Sequence, residues 1–304
     1  MLNVMDRLLG RFRERHHRSV ARAILDTPPI KARQDGLVLF SMIGTRVLLP
    51  YLVAVKSLHY HLGGGRIVIL DDGTLTDCDC AILSHHCDNP RIISIASVDT
   101  GPCPRGGTWE RLLTILDIRA GDYVIQLDSD TVTLGPVDEV KEAIKAGRSF
   151  TLRGEESAQI VTMREAAEQH LGNPSTHVQT TIEANMDKLP MEGRDTLKYV
   201  RGCSGFAGFA PNPDGRGLAE RFSVAAQELV GAEKRAAWGS EQVTSNFVVA
   251  NADEPLLLPY DRYLNHWDAP VPAGASFAHF IGTFRYTGGE YARSTRAAIA
   301  ALES

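Results

Sequence analysis

Apolar residues in this chain fall into short continuous runs, and between the runs they recur at helical spacing. The first strong run, Gly36-Leu37-Val38-Leu39-Phe40-Ser41-Met42, is apolar almost throughout, as in a strand buried on both faces. It turns at Gly44-Thr45, and a helix is predicted over 46–61, carrying Leu48, Leu49, Val53 and Val55 and stopped by Gly63-Gly64-Gly65. A second strand over 66–70 ends in Asp71-Asp72-Gly73, and a short one over 92–96 follows a cysteine-rich connection. A helix over 109–118 feeds an apolar run at 123–132, read as one strand, and a helix over 137–146 leaves it for a strand over 149–153.

Beyond residue 155 the pattern weakens and becomes mostly helical, with helices predicted over 163–171 and 178–189. The chain returns to strand and turn over 199–209, where glycines permit close backbone approach. A helix over 217–229 follows, then one carrying Gln242 and Asn246 that Ser240 is placed to cap, and a closing helix over 290–302. Strands alternating with helices predict an α/β fold with a Rossmann-like parallel sheet, built from right-handed β-α-β units with helices on both faces. No linker long enough to separate domains, no internal repeat and no low-complexity segment interrupts it, so 31–304 reads as a single domain.

Ahead of that domain, residues 1–30 hold an amphipathic helix with Leu2, Met5, Leu8, Leu9 and Phe12 on one stripe. Its arginines, Arg7, Arg11, Arg13, Arg15, Arg18 and Arg22, outnumber Asp6 and Glu14. Such a helix packs on its own domain or lies on an anionic membrane surface, peripheral on the inner face. The whole chain of 304 residues is mildly acidic, with a net charge of -5, which argues against nucleic acid as a partner. Lys56 and His59 interrupt the most apolar stretch, 47–62, so no membrane span is expected. The N-terminus is too charged for a signal peptide, and five cysteines without one suggest reduced thiols in a cytoplasmic protein. Cys78, Cys80 and Cys87, with His85 and His86, could hold zinc, although the spacing is that of no standard finger and ordinary cysteines are the preferred reading.

The chemistry centres on Asp128-Ser129-Asp130. In a continuous strand the two carboxylates share a face, roughly 7 Å apart at their Cα atoms. Ligands of open α/β sheets bind outside the carboxyl ends of strands, where such a pair can hold a divalent cation against phosphate oxygens. A polar turn is the plainer reading of the same residues.

Taken in order, several short motifs resemble a nucleotide-sugar glycosyltransferase of the GT-A fold, in the retaining family that includes glycogenin and bacterial galactosyltransferases. Asp128-Ser129-Asp130 is similar to its D-x-D, placed after a helix like Trp109-Glu110-Arg111-Leu112-Leu113. Cys203-Ser204-Gly205 stands where the family has Asn-Ala/Ser-Gly, Glu241-Gln242 where it has Asp-Gln, and His279-Phe280-Ile281-Gly282 resembles its late histidine motif. Thr283-Phe284-Arg285-Tyr286 replaces the usual lysine and Pro-Trp, leaving Arg285 to supply the positive charge.

The resemblance implies a metal-dependent hexosyltransferase using a nucleotide-sugar donor, UDP-linked by expectation, and an unknown glycan, lipid or protein acceptor. It divides the domain into a nucleotide-binding half at about 36–153 and a donor-sugar and acceptor half at about 154–288. Asp128, Asp130 and His279 become metal ligands, a set suited to manganese with magnesium as substitute. Glu241 and Gln242 become the catalytic pair beside the reacting sugar. Ser41, Thr45 and Asp71 at strand ends, Arg111, Ser204, Gly205, Gly282 and Arg285 become substrate-binding residues. Retention of configuration follows from the family; an inverting enzyme would use Glu241 as a base on the acceptor. Two other readings stand beside it: a haloacid-dehalogenase-like phosphohydrolase with Asp128 as nucleophile, and a non-catalytic sugar-nucleotide binder.

Overall fold

The structure is a computed structural model that describes residues 4–303, with side chains from Leu9 onward. In chain order it runs α1 (Val4–Ala21), β1 (Leu37–Ile43), α2 (Leu48–Leu62), β2 (Arg66–Asp71), α3 (Asp77–His86) and β3 (Arg91–Ser94). Next come α4 (Trp109–Ile118), β4 (Tyr123–Leu127), β5 (Thr131–Thr133), α5 (Asp138–Ala146), β6 (Phe150–Arg153), β7 (Ile160–Thr162), α6 (Met163–His170) and α7 (Val178–Glu183). The remainder is β8 (Lys198–Val200), β9 (Gly202–Phe209), α8 (Gly217–Val230), α9 (Ala232–Arg235), α10 (Ser240–Ala250), β10 (Leu256–Leu257), β11 (Tyr263–Asn265), β12 (Phe277–His279) and α11 (Glu290–Leu302).

Two compact units form. The first holds the chain up to Ser94, Leu127–Lys141 and everything from Pro259; the second holds Ile95–Gln126 and Glu142–Leu258. In the first unit β1, β2 and β3 pair in parallel, with Phe40 opposite Val68. Val38, Leu39, Phe40, Val68 and Ile69 are at most 1 % exposed, which is why these strands are apolar without alternation. Burying each such side chain stabilises the fold by about 1.5–3 kcal/mol. Helix α2 ends at Gly63, whose left-handed φ of 79° lets its N–H reach the His59 carbonyl at 2.8 Å. A small sheet in order β11-β12-β5 completes the unit, with β12 parallel to β11 and antiparallel to β5.

In the second unit the strands run in the order β10-β6-β9-β4, with β6 and β9 antiparallel and β10 parallel to β6. Strands β7 and β8 form a separate antiparallel pair. The helical core gathers Met163, Val178, Ile182, Met186, Phe222 and Phe247, with Phe222 and Phe247 stacked at 4.3 Å.

Several expectations are corrected. Residues 123–132 are two strands, because Asp128-Ser129-Asp130 makes a turn that Thr131 Oγ1 closes onto the Asp128 carbonyl at 2.8 Å. Helix 178–189 breaks after Glu183, where Asn185 turns its amide back onto the Thr181 carbonyl at 3.0 Å. The run 199–209 breaks at Arg201 because β8 pairs with β7 and β9 with β6. Ser240 does not cap α10. Gly239, at φ 95°, takes the cap position, and Ser240 Oγ accepts from Trp109 Nε1 at 3.0 Å. The cysteine-rich connection is helix α3, started by a Thr76/Asp79 capping box. Its cysteines are free thiols, and among the described residues the one cluster of three metal-ligating groups lies elsewhere.

Of the N-terminal stripe, only Leu9 and Phe12 have described side chains. Leu2 lies outside the described residues, as do the side chains of Met5, Asp6, Arg7 and Leu8. Leu9 and Phe12 are 45 % and 70 % exposed, and among the described side chains of the N-terminal segment His17, Ala21 and Ile24 are buried. His17 stacks on Tyr291 of α11 at 3.7 Å and meets Thr295 Oγ1 at 3.1 Å.

Candidate active site

In the first unit, Asp128 and Asp130 sit on the turn between β4 and β5, and His279 ends β12 opposite Thr131. The turn, rather than strand alternation, turns both carboxylates toward His279. One ligand atom from each of the three lies within 4.8 Å of the others. The Phe280 N–H holds the turn through the Asp130 carbonyl at 2.8 Å, and Tyr291 donates to the Ser129 carbonyl at 3.2 Å.

Asp130 is the electrostatic focus. His279 Nε2 is 3.3 Å from its Oδ1, and the Arg285 guanidinium pairs with its Oδ2. Burial alone would raise the Asp130 carboxyl, but His279, and then Arg285, hold it below the ordinary carboxylate value. Burial opposes the charge of Arg285, but Asp130 together with Tyr286 and Tyr291 outweighs it and holds the guanidinium above its ordinary value. Gly282, at φ 47°, opens the short turn that brings Arg285 back, and Arg285 Nε donates to the Phe280 carbonyl at 3.0 Å.

The donor set fits a cation. His279 Nδ1 lies 3.1 Å from Asn265 Oδ1, its register partner on β11. With that amide oxygen accepting, Nδ1 carries a hydrogen, and Nε2 faces the Asp130 carboxylate. Protonated, Nε2 is the charge that lowers the Asp130 carboxyl; with that proton displaced, it offers a lone pair to a metal ion beside the carboxylate. Sequence reading missed Asn265; an asparagine inside a short apolar strand was its only signal.

Ser41, Thr45 and Asp71 lie at the ends of β1 and β2, as expected, but their side chains are engaged within the first unit. Ser41 donates to the Leu127 carbonyl at 2.6 Å. Thr45 donates to Asp79 Oδ2 at 2.6 Å and is bonded to the Thr74 carbonyl. Asp71 accepts from the N–H groups of Gly73 and Leu75 at 2.8 and 3.2 Å.

In the second unit, Arg111 on α4 is 7 % exposed, so the solvated helix face is ruled out. Its guanidinium meets Glu241 Oε2 at 3.0 Å and Ser204 Oγ at 3.2 Å. Glu241, 1 % exposed, also accepts from Thr108 at 3.0 Å. Thr108 holds a left-handed φ of 74° at the start of α4, a costly conformation for a β-branched residue. Its signal was the preceding Gly106-Gly107 pair. Ser204 donates to Gln242 Oε1, and Gln242 Nε2 donates to Gln179 Oε1, both at 3.2 Å. Gly205 is buried within β9, and nothing in the sequence pointed to Gln179. A carboxylate so enclosed by a guanidinium is suited to fixed electrostatic support rather than to proton exchange.

No family model and no curated protein matches this sequence. Solved structures do. The galactosyltransferase LgtC, in complex with donor and acceptor sugar analogues, superposes with a TM-score of 0.51 at 11 % identity over 86 % of this chain and 95 % of its own. An active-site mutant of LgtC gives 0.51 at 11 % identity, over 85 % and 94 %. The apo bifunctional glycosyltransferase WbbM gives 0.50 at 11 % identity over 90 % of this chain, which spans 51 % of WbbM's length. The chain has the α/β GT-A fold that the motif order implied.

Proposed function

We propose that this protein transfers a sugar from a nucleotide-sugar donor, UDP-linked in the expected form, to an acceptor. The observation that carries the reading is the convergence of Asp128, Asp130 and His279 within 4.8 Å in a chain of this fold. LgtC, bound to donor and acceptor sugar analogues, supports it by likeness of fold. Two carboxylates and an imidazole would hold manganese, or magnesium in its place. The cation supplies positive charge to a departing nucleoside diphosphate.

The chain's own residues account for the rest. Asn265 orients the His279 ring, and Tyr291 and the Phe280 N–H fix the aspartate turn. Arg285 adds a second positive charge beside Asp130, suited to a phosphate oxygen. In this reading Glu241 and Gln242 serve the donor sugar, the oxygen of Gln242 supporting positive charge at the anomeric carbon. A haloacid-dehalogenase-like phosphohydrolase with Asp128 as nucleophile does not fit a GT-A fold.

The reading includes contact with an anionic membrane surface. Leu9 and Phe12 stand exposed among the exposed Arg11, Arg15, Arg18 and Arg22, a composition that suits the lipid headgroup boundary. Among the described residues no helix is long and apolar enough to cross a membrane.

Incubation with a panel of nucleotide sugars and manganese, following release of nucleoside diphosphate, tests the reaction. Release from at least one donor, lost with chelator and in Asp128→Asn, is expected. Release from none of the panel, or release indifferent to chelator, contradicts it.

A further inference from the structure

Five side chains of the second unit form a single file of hydrogen bonds. Arg111 donates to Ser204 (3.2 Å), Ser204 to Gln242 Oε1 (3.2 Å), Gln242 Nε2 to Gln179 Oε1 (3.2 Å), and Gln179 Nε2 to Glu183 Oε1 (2.9 Å). Every bond points the same way. The middle three residues could each donate or accept at either end, so their own chemistry does not set the direction. The ends do. A guanidinium has only donors, and Glu183 is a carboxylate, with only acceptors.

Glu183 is 0 % exposed and firmly held as an acceptor: Tyr199 donates to Oε1 at 2.8 Å, and Arg201 to Oε2 at 2.5 Å. Gln179 must therefore show its NH2 to Glu183 and its oxygen to Gln242. Gln242 must then show its NH2 to Gln179, which leaves its oxygen on the side of Ser204. Reversing either amide would set buried donor against donor and acceptor against acceptor. Gln179 and Glu183 share one face of α7 at i,i+4 spacing, and His177 anchors that helix by accepting from the Gln179 N–H at 3.3 Å.

We propose that Gln179 and Glu183 are positioning residues that lock the Gln242 amide with its oxygen, and not its NH2, available to a ligand. Gln242 is the one member of the file that is more than slightly exposed. A fixed carbonyl oxygen suits the positive charge that develops on a sugar ring as its bond to phosphate breaks, whereas an NH2 in that place would oppose it. The proposal rests on the reading that Gln242 serves the donor sugar.

The test is Glu183→Gln, which keeps the shape of the side chain and removes the acceptor-only terminus. In the 15N-edited spectrum the Gln242 side-chain NH2 pair, assigned by its loss in Gln242→Met, should change from one sharp pair to broadened or doubled signals. Donor turnover should fall about tenfold to a hundredfold in kcat with little change in KM. The double variant Gln179→Glu/Glu183→Gln sets an acceptor-only group directly beside Gln242 and should restore the single pair and most of the turnover. A merely structural loss would not be rescued in this way. If Glu183→Gln does not fold, Gln179→Met breaks the same link and should broaden the same signals. An unchanged amide pair in the single variant, or a double variant no better than the single, overturns the proposal. A disordered amide with unaltered turnover keeps the file and refutes Gln242's place at the sugar, so the two failures are separable.

Discussion

His279 Nδ1 stands 3.1 Å from the Asn265 amide oxygen, and this contact decides what the ring offers Asp130 on its other side. Asn265→Ala removes the acceptor and releases the ring to either tautomer. Manganese affinity should fall about 10- to 100-fold in a calorimetric titration, the usual cost of losing a residue that orients a metal ligand. Asn265→Asp keeps an acceptor and should hold affinity within a few-fold of the parent. Equal affinity in Asn265→Ala would show that the ring needs no such partner.

The Arg111–Glu241 pair and the Arg216–Asp117 pair are both arginine–carboxylate contacts, yet their expected worth differs. Side chains of the first pair are 8 % and 1 % exposed, those of the second 21 % and 53 %. Arg111→Met strands a buried carboxylate and should cost about 3–5 kcal/mol. Arg216→Met should cost about 1 kcal/mol or less. Urea unfolding of the two variants checks the ordering, and similar losses would contradict the burial argument.

Two buried histidines make stability depend on pH. His17 is lowered to about 4 by burial, then by the charges of Arg285 and His16. His86 is lowered to about 4 by burial, then by Lys56 and His85. Both stay neutral in the fold while the unfolded chain takes up protons near pH 6.5. The unfolded state therefore binds more protons between about pH 6.5 and 4, and stability, complete above that window, falls as pH drops through it. The limiting slope is about 1.4 kcal/mol per pH unit for each histidine. Urea midpoints at pH 7.5, 6.5 and 5.5 should decline in that order, more shallowly in His17→Gln. A flat profile would refute it.

The exposed face of α1 should bind vesicles containing phosphatidylserine and ignore neutral ones. Phe12→Ser with Arg15→Glu should abolish co-sedimentation without lowering the melting temperature, since both side chains are exposed. Binding unchanged by the double variant would reject membrane contact.

Much of the fold is written in local patterns. Helices α4 and α11 appear where their apolar spacing begins and ends, because their boundaries are marked by Gly107-Thr108 and Gly288-Gly289. Strand β1 is legible because both its faces are buried. The breaks were hidden for the opposite reason. Arg201 and Asn185 interrupt apolar runs through hydrogen bonds and pairings that only the fold creates. At the candidate site, the aspartates and His279 were visible as residue types at recurring motif positions. Gln179 and Glu183 were not, and Asn265 only faintly, since an orienting residue carries no spacing signature and becomes visible only through its partner. Of the apolar stripe on α1 only Leu9 and Phe12 have described side chains; both face outward, while His17 and Ala21 are buried.

The most direct test of the central claim is calorimetric titration of UDP with and without manganese, on the parent protein, Asp130→Ala and His279→Ala. UDP should bind tightly only when manganese is present, and each substitution should weaken that binding at least about tenfold. UDP binding of equal strength with and without metal, and undiminished in both variants, would contradict the metal-held diphosphate.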